Sequence, residues 1–98
     1  MVVELLTFRI DPADHAAWLA ADAEIWTAFL ATVPGFEAKQ VWIAEDDPWR
    51  VEAVIWWRSQ ADWDAVTPEQ VGAVDAAMGD LRREPICRSH RVAAVFPG

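Results

Sequence analysis

Val2–Ile10 is apolar on both alternating faces, with Val3 and Leu5 on one side and Leu6, Phe8 and Ile10 on the other. That pattern predicts a central strand covered from both sides. Asp11-Pro12-Ala13-Asp14 then supplies a cap, a first-turn proline and a first-turn carboxylate, and predicts a helix running to about Thr32. Its apolar stripe is Trp18, Ala21, Ile25, Phe29 and Val33, and Pro34-Gly35 ends it. Phe36–Glu45 alternates apolar and polar residues and reads as an edge strand. Across an Asp46-Asp47-Pro48 turn, Arg50–Arg58 is a second doubly apolar strand, so the two form a hairpin. Ser59–Asp62 opens a short turn carrying Trp63. Thr67-Pro68-Glu69-Gln70 is a capping box opening a helix with Val71, Val74, Met78 and Leu81 at helical spacing. Arg88–Phe96 is the expected last strand.

The order βαββαβ predicts a ferredoxin-like α+β fold in one domain over residues 1–98. Right-handed crossovers put the first and third strands in the middle of a four-stranded antiparallel sheet with both helices on one face. The opposite face is then bare, although its central strands are apolar there too. An exposed apolar face of that size marks an interface. Two sheets packed face to face in a homodimer, a dimeric α+β barrel, are the expected solution.

Acidic residues outnumber basic ones 16 to 8, and Lys39 is the only lysine. A nucleic acid or an anionic membrane surface needs a basic footprint and is not an expected partner. No apolar run approaches the roughly 20 residues that cross a bilayer. A single cysteine, Cys87, and no basic-then-apolar leader fit a reducing, cytoplasmic setting. Seven tryptophans stand against no tyrosine and no asparagine.

The element order, the doubly apolar strands and the length resemble the dimeric α+β barrel superfamily. Its members include antibiotic-biosynthesis monooxygenases, haem-degrading monooxygenases, muconolactone isomerase-like proteins and stress-responsive barrel proteins. The strings Asp22–Thr27, Pro34-Gly35-Phe36, Lys39–Trp42 and Trp56–Ser59 followed by Trp63 are similar to a small bacterial family of this fold without assigned chemistry. The resemblance implies cofactor-independent work on an apolar aromatic or polyketide-like molecule, of the monooxygenase, cyclase or isomerase type. It also implies an Asn–Trp pair near substrate, of which only the tryptophan has a counterpart here. The haem-degrading pattern wants an asparagine on the first strand and a histidine on the second helix. This chain has Glu4 and Thr7 on that strand and no histidine between Val66 and Arg83.

His15, Trp18, Leu19, Asp22 and Trp26 fall on one helix face at spacings of three and four. A carboxylate raises the basicity of a neighbouring imidazole, so His15 and Asp22 are a candidate proton-transfer pair. Glu4, alone among apolar neighbours, is a third candidate catalytic group, or else half of an ion pair with Arg58, Arg88 or Arg91. Trp18, Trp26, Trp56, Trp57, Trp63 and His90 are candidate substrate-binding residues, since indole rings suit a flat ligand. Dimer and core packing explain several of them equally well. Cys87 reads as an inert small side chain. No phosphate loop, paired-cysteine motif or metal-ligand spacing is present, so no cofactor and no metal is expected. Against the enzyme stands a non-catalytic homodimeric ligand-binding or structural module, which the sequence alone leaves open.

Overall fold

The computed structural model describes residues 1–98. Strands β1 (Val2–Arg9), β2 (Phe36–Ile43), β3 (Arg50–Trp57) and β4 (Ile86–Arg91) form one sheet in the order β2-β3-β1-β4, every pair antiparallel. The doubly apolar strands β1 and β3 are the central ones, as their patterns predict.

Helix α1 is one continuous rod with three backbone pitches. A 3-10 turn at Pro12–Asp14 leads into α-helix His15–Asp22, a π turn at Ala23–Thr27 and a last turn at Ala28–Leu30. Asp11 caps its start by accepting from the Ala13 amide. Helix α2 (Gln60–Asp64) is capped by Ser59, and helix α3 (Pro68–Ala77) by the Thr67–Gln70 box, both as read from the sequence. A 3-10 turn, Gly79–Leu81, follows.

Sheet register sorts the side chains. Glu4, Leu6 and Phe8 of β1 share the helix-covered face with Val51, Ala53, Ile55 and Trp57 of β3. One buried cluster joins Phe8, Ile10, Val51 and Ala53 to Trp18 and Met78 from the helical layer. Phe8 and Trp18 meet at 5.0 Å between ring centroids, a tilted pair. A second cluster gathers Leu30, Ile55 and Trp57. The other face presents Val3, Leu5, Val54 and Trp56, with Trp42 beside them on β2. No helix covers it.

Two expectations need correction. The last strand is Ile86–Arg91, not Arg88–Phe96. It pairs with β1, and β1 begins at Val2, opposite Arg91. Val92 makes one more bond, to the Met1 carbonyl at 3.0 Å, and the residues after it are outside the ladder. Val95 and Phe96 are consequently exposed. Helix α1 also departs from a uniform 3.6-residue stripe at Ala23–Thr27, with the consequence described next.

Candidate functional site

Helix α3 has apolar residues at helical spacing, yet none of them is buried. It stands off the sheet, and the gap beneath is a cavity of about 400 Å³. That volume is in the range of sites for drug-sized molecules. The sheet supplies its floor through Leu6, Ala53 and Ile55. Trp18, Trp26, Trp57 and Trp63 supply aromatic wall, and Val71 of α3 faces it from outside. Arg82 and Arg83 stand at the edge, where Arg83 reaches Asp14 of α1 at 3.3 Å and Arg82 reaches Asp75 at 3.4 Å.

Three ionisable side chains of the layer between helix and sheet line this apolar space. Glu4 projects from the centre of β1. Its Oε1 accepts from the Trp57 indole at 3.0 Å. None of the three arginines considered as partners pairs with it. Burial pushes the Glu4 carboxyl above its usual range, and the Trp57 bond and the positive Lys39 offset this only partly. Asp22 and Lys39 form a buried ion pair, Nζ to Oδ2 at 2.7 Å, with side chains 7% and 5% exposed. Lys39 also donates to Thr27 Oγ1 at 2.9 Å.

The π turn makes that double contact possible. In a regular α-helix, residues five apart point about 140° away from each other. A π turn closes its ring over five residues and brings them round to the same side. Asp22 and Thr27, at the two ends of the widened turn, both reach Lys39.

The site residues expected from sequence divide into two groups. Glu4, Asp22, Trp18, Trp26, Trp57 and Trp63 come together around the cavity. His15, Trp56 and His90 do not. His15 lies at the start of α1 with Nε2 3.2 Å from the Ile10 carbonyl, and the carboxylate of Asp22 is engaged by Lys39 instead. The anticipated His15–Asp22 pair is therefore not assembled, because two helical turns separate the two residues. Trp56 and His90 are both register partners of Val3 and so sit on the opposite, helix-free face. Cys87 is exposed, and burial together with the nearby Glu4 charge raises its thiol pKa, as expected of an inert thiol. No group of three or more potential metal ligands is gathered anywhere.

Lys39 is the residue that sequence reasoning missed. Its signal was present: on β2 it shares its parity with Val41, a residue packed against the core. A lysine in phase with core residues needs a buried partner.

A βαββαβ chain whose antiparallel sheet runs β2-β3-β1-β4 with its helices on one face defines the ferredoxin-like class. Comparison with known structures agrees. The monooxygenase from ActVA-Orf6 of Streptomyces coelicolor, solved in complex with nanaomycin D, superposes with a TM-score of 0.78 at 18% identity, covering 99% of this chain and 92% of that one. SnoaB, a cofactor-independent oxygenase from Streptomyces nogalater, gives 0.71 at 17% identity over 99% and 97%. A protein from Bordetella bronchiseptica gives 0.77 at 13% identity over 95% and 97%. A search of curated proteins returned no match. The family model for antibiotic biosynthesis monooxygenase matches residues 1–69, and the chain belongs to that family.

Proposed function

We propose that this protein binds an apolar aromatic or polyketide-like molecule in the cavity beneath α1 and α3 and oxygenates it without a cofactor. The observation that carries this reading is Glu4: a carboxyl of raised pKa on the sheet floor of the cavity, among Leu6, Ile55 and Trp57. Such a carboxylate is a stronger base than an exposed one and is placed to take a proton from a ligand in the cavity. Removing an acidic C–H proton from an enolisable ring ketone leaves an electron-rich enolate, the species that reacts with dioxygen directly. Family membership and the activities of the structural relatives support the same chemistry.

The working unit in this reading is a homodimer joined through the helix-free face. Val3, Leu5, Trp56 and Trp42 give that face an apolar character, and a second copy of the same face is its natural cover.

Anthrone, a flat tricyclic ketone with an acidic ring CH2, tests the proposal. Its oxygenation consumes one dioxygen and yields anthraquinone and water. The protein should accelerate oxygen uptake over buffer, and Glu4→Gln should remove most of the acceleration. Binding of anthrone or nanaomycin D with no acceleration would make the protein a carrier. No binding of either would leave the cavity without a ligand role.

A further inference from the structure

The cavity's polar wall is built around the only lysine of the chain. We propose that Lys39 recognises an oxygen atom of the ligand. One ammonium N–H donates to a hydroxyl or enolised carbonyl at the edge of a flat ring, while Asp22 Oδ1 accepts from the same group. The proposal rests on the cavity being a ligand site and specifies what that site reads.

An ammonium has three N–H donors. Asp22 and Thr27 take two of those of Lys39, and no third acceptor in the protein reaches it. Burying a charge with its hydrogen-bond shell incomplete is unfavourable, and apolar residues of similar volume would hold helix and sheet together as well. The arrangement is explained if the missing acceptor arrives with the ligand. The acceptor side is open too. Asp22 Oδ1 and Glu4 Oε2 have no partner within the chain, and the only fully occluded side-chain polar atom lacking one is Thr7 Oγ1. Since Asp22 and Glu4 both line the cavity, their free oxygens open onto it. A donor and an acceptor side by side are complementary to a hydroxyl group, which is both at once.

The backbone points the same way. The π turn is a departure from regular helix at the one place where it lets two α1 side chains hold Lys39, and turns of this kind occur frequently at functional sites. Sheet register completes the geometry. Lys39, Ile55 and Glu4 occupy one row across β2, β3 and β1. Lys39 and Glu4 are two strand spacings apart, about 9–10 Å between backbones. A bicyclic or tricyclic ring lying on Ile55 would meet Lys39 and Asp22 at one edge and Glu4 at the other.

The test compares 2-naphthol with naphthalene, which differ by one hydroxyl, by titration calorimetry on the full chain near neutral pH. A site built to hydrogen-bond a hydroxyl rejects the analogue lacking it, so 2-naphthol should bind at least about tenfold tighter. In Lys39→Met the preference should fall to about threefold or less, with naphthalene affinity retained. Because that change leaves Asp22 buried and unpaired, the double variant D22N/K39M, which keeps a polar group at position 22 without an orphan charge, is measured beside it. Equal binding of both compounds to the native chain, or a preference that survives in either folded variant, overturns the role of Lys39 while leaving the cavity as a ligand site. Failure of both compounds to bind removes the cavity reading and this inference with it.

Discussion

The indole of Trp57 donates to the Glu4 carboxyl at 3.0 Å, side chain to side chain across the two central strands. Burial raises the Glu4 pKa above 4.5 more than this bond and Lys39 lower it. A carboxyl whose pKa is raised by folding favours the folded state most when protonated. Its contribution is fully present below the unfolded pKa and lost as pH rises through the folded one. Glu4→Gln keeps an acceptor for Trp57 and removes the ionisation. The variant should melt higher than the native protein at neutral pH, and the gap should close as pH falls toward 4.5, followed by thermal unfolding across a pH series.

Gly35 has φ +86°, and a Cβ there would collide with the Asp62 side chain. Asp62 cannot swing clear. Arg58 holds both its oxygens at 2.9 and 3.0 Å, and the Ser59 hydroxyl adds a bond at 2.9 Å. Gly35→Ala should lower stability by at least about 2 kcal/mol, from the left-handed backbone and the clash together. Urea unfolding measures it. Asp62→Gly in the same background should recover part of the loss, because the Asp62 Cβ is itself among the clashing atoms.

Trp18 and Trp26 line one cavity but differ in burial. Trp18 is 2% exposed and packed on Phe8, whereas Trp26 is half-buried with its ring edge on Phe29. Trp18→Ala should cost about 3–5 kcal/mol in unfolding free energy. Trp26→Ala should cost clearly less while weakening binding of a flat aromatic probe about tenfold, so the two variants separate packing from ligand contact in paired unfolding and titration measurements.

Trp56, between Val3 and Ala38 on the helix-free face, touches nothing in the helical layer. Trp56→Asp places a charge in the proposed dimer seam and should halve the mass seen by sedimentation equilibrium. Native-like circular dichroism in a monomeric variant would locate the interface. An unchanged dimer mass would place it elsewhere.

The fold was legible because strong local signals agreed. Doubly apolar β1 and β3 announced central strands, Ser59 and the Thr67–Gln70 box marked helix starts, and Pro34-Gly35 marked an end. The site was legible in part. Glu4 stood out as a charge in an apolar strand, and Asp22 lay in phase with Trp18. The His15–Asp22 pair failed because shared helix phase says nothing of the distance along the axis. Trp56 and Trp57 were known to face opposite sides, but which side the helices cover is a tertiary fact. The π turn has no local sequence signature, and so the meeting of Asp22, Thr27 and Lys39 was out of reach of periodicity. The end of β4 was set by where its neighbour β1 begins, which apolar pattern alone cannot report.

A π turn holds one residue more than the α-helical turn it replaces. Ala23–Thr27 is thus the point in α1 where the chain absorbs a change of length without breaking the rod. Deleting exposed Glu24 would leave an unbroken α-helix in which Asp22 and Thr27 stand four residues apart, and side chains on either side of the excision would keep nearly the phase they have now. Phe29 and Leu30 would stay turned toward the core, and Trp18 and Asp22 toward the cavity. The surplus residue is accommodated without a change of phase, so the two halves of α1 keep their faces aligned across the turn while Asp22 and Thr27 share one side.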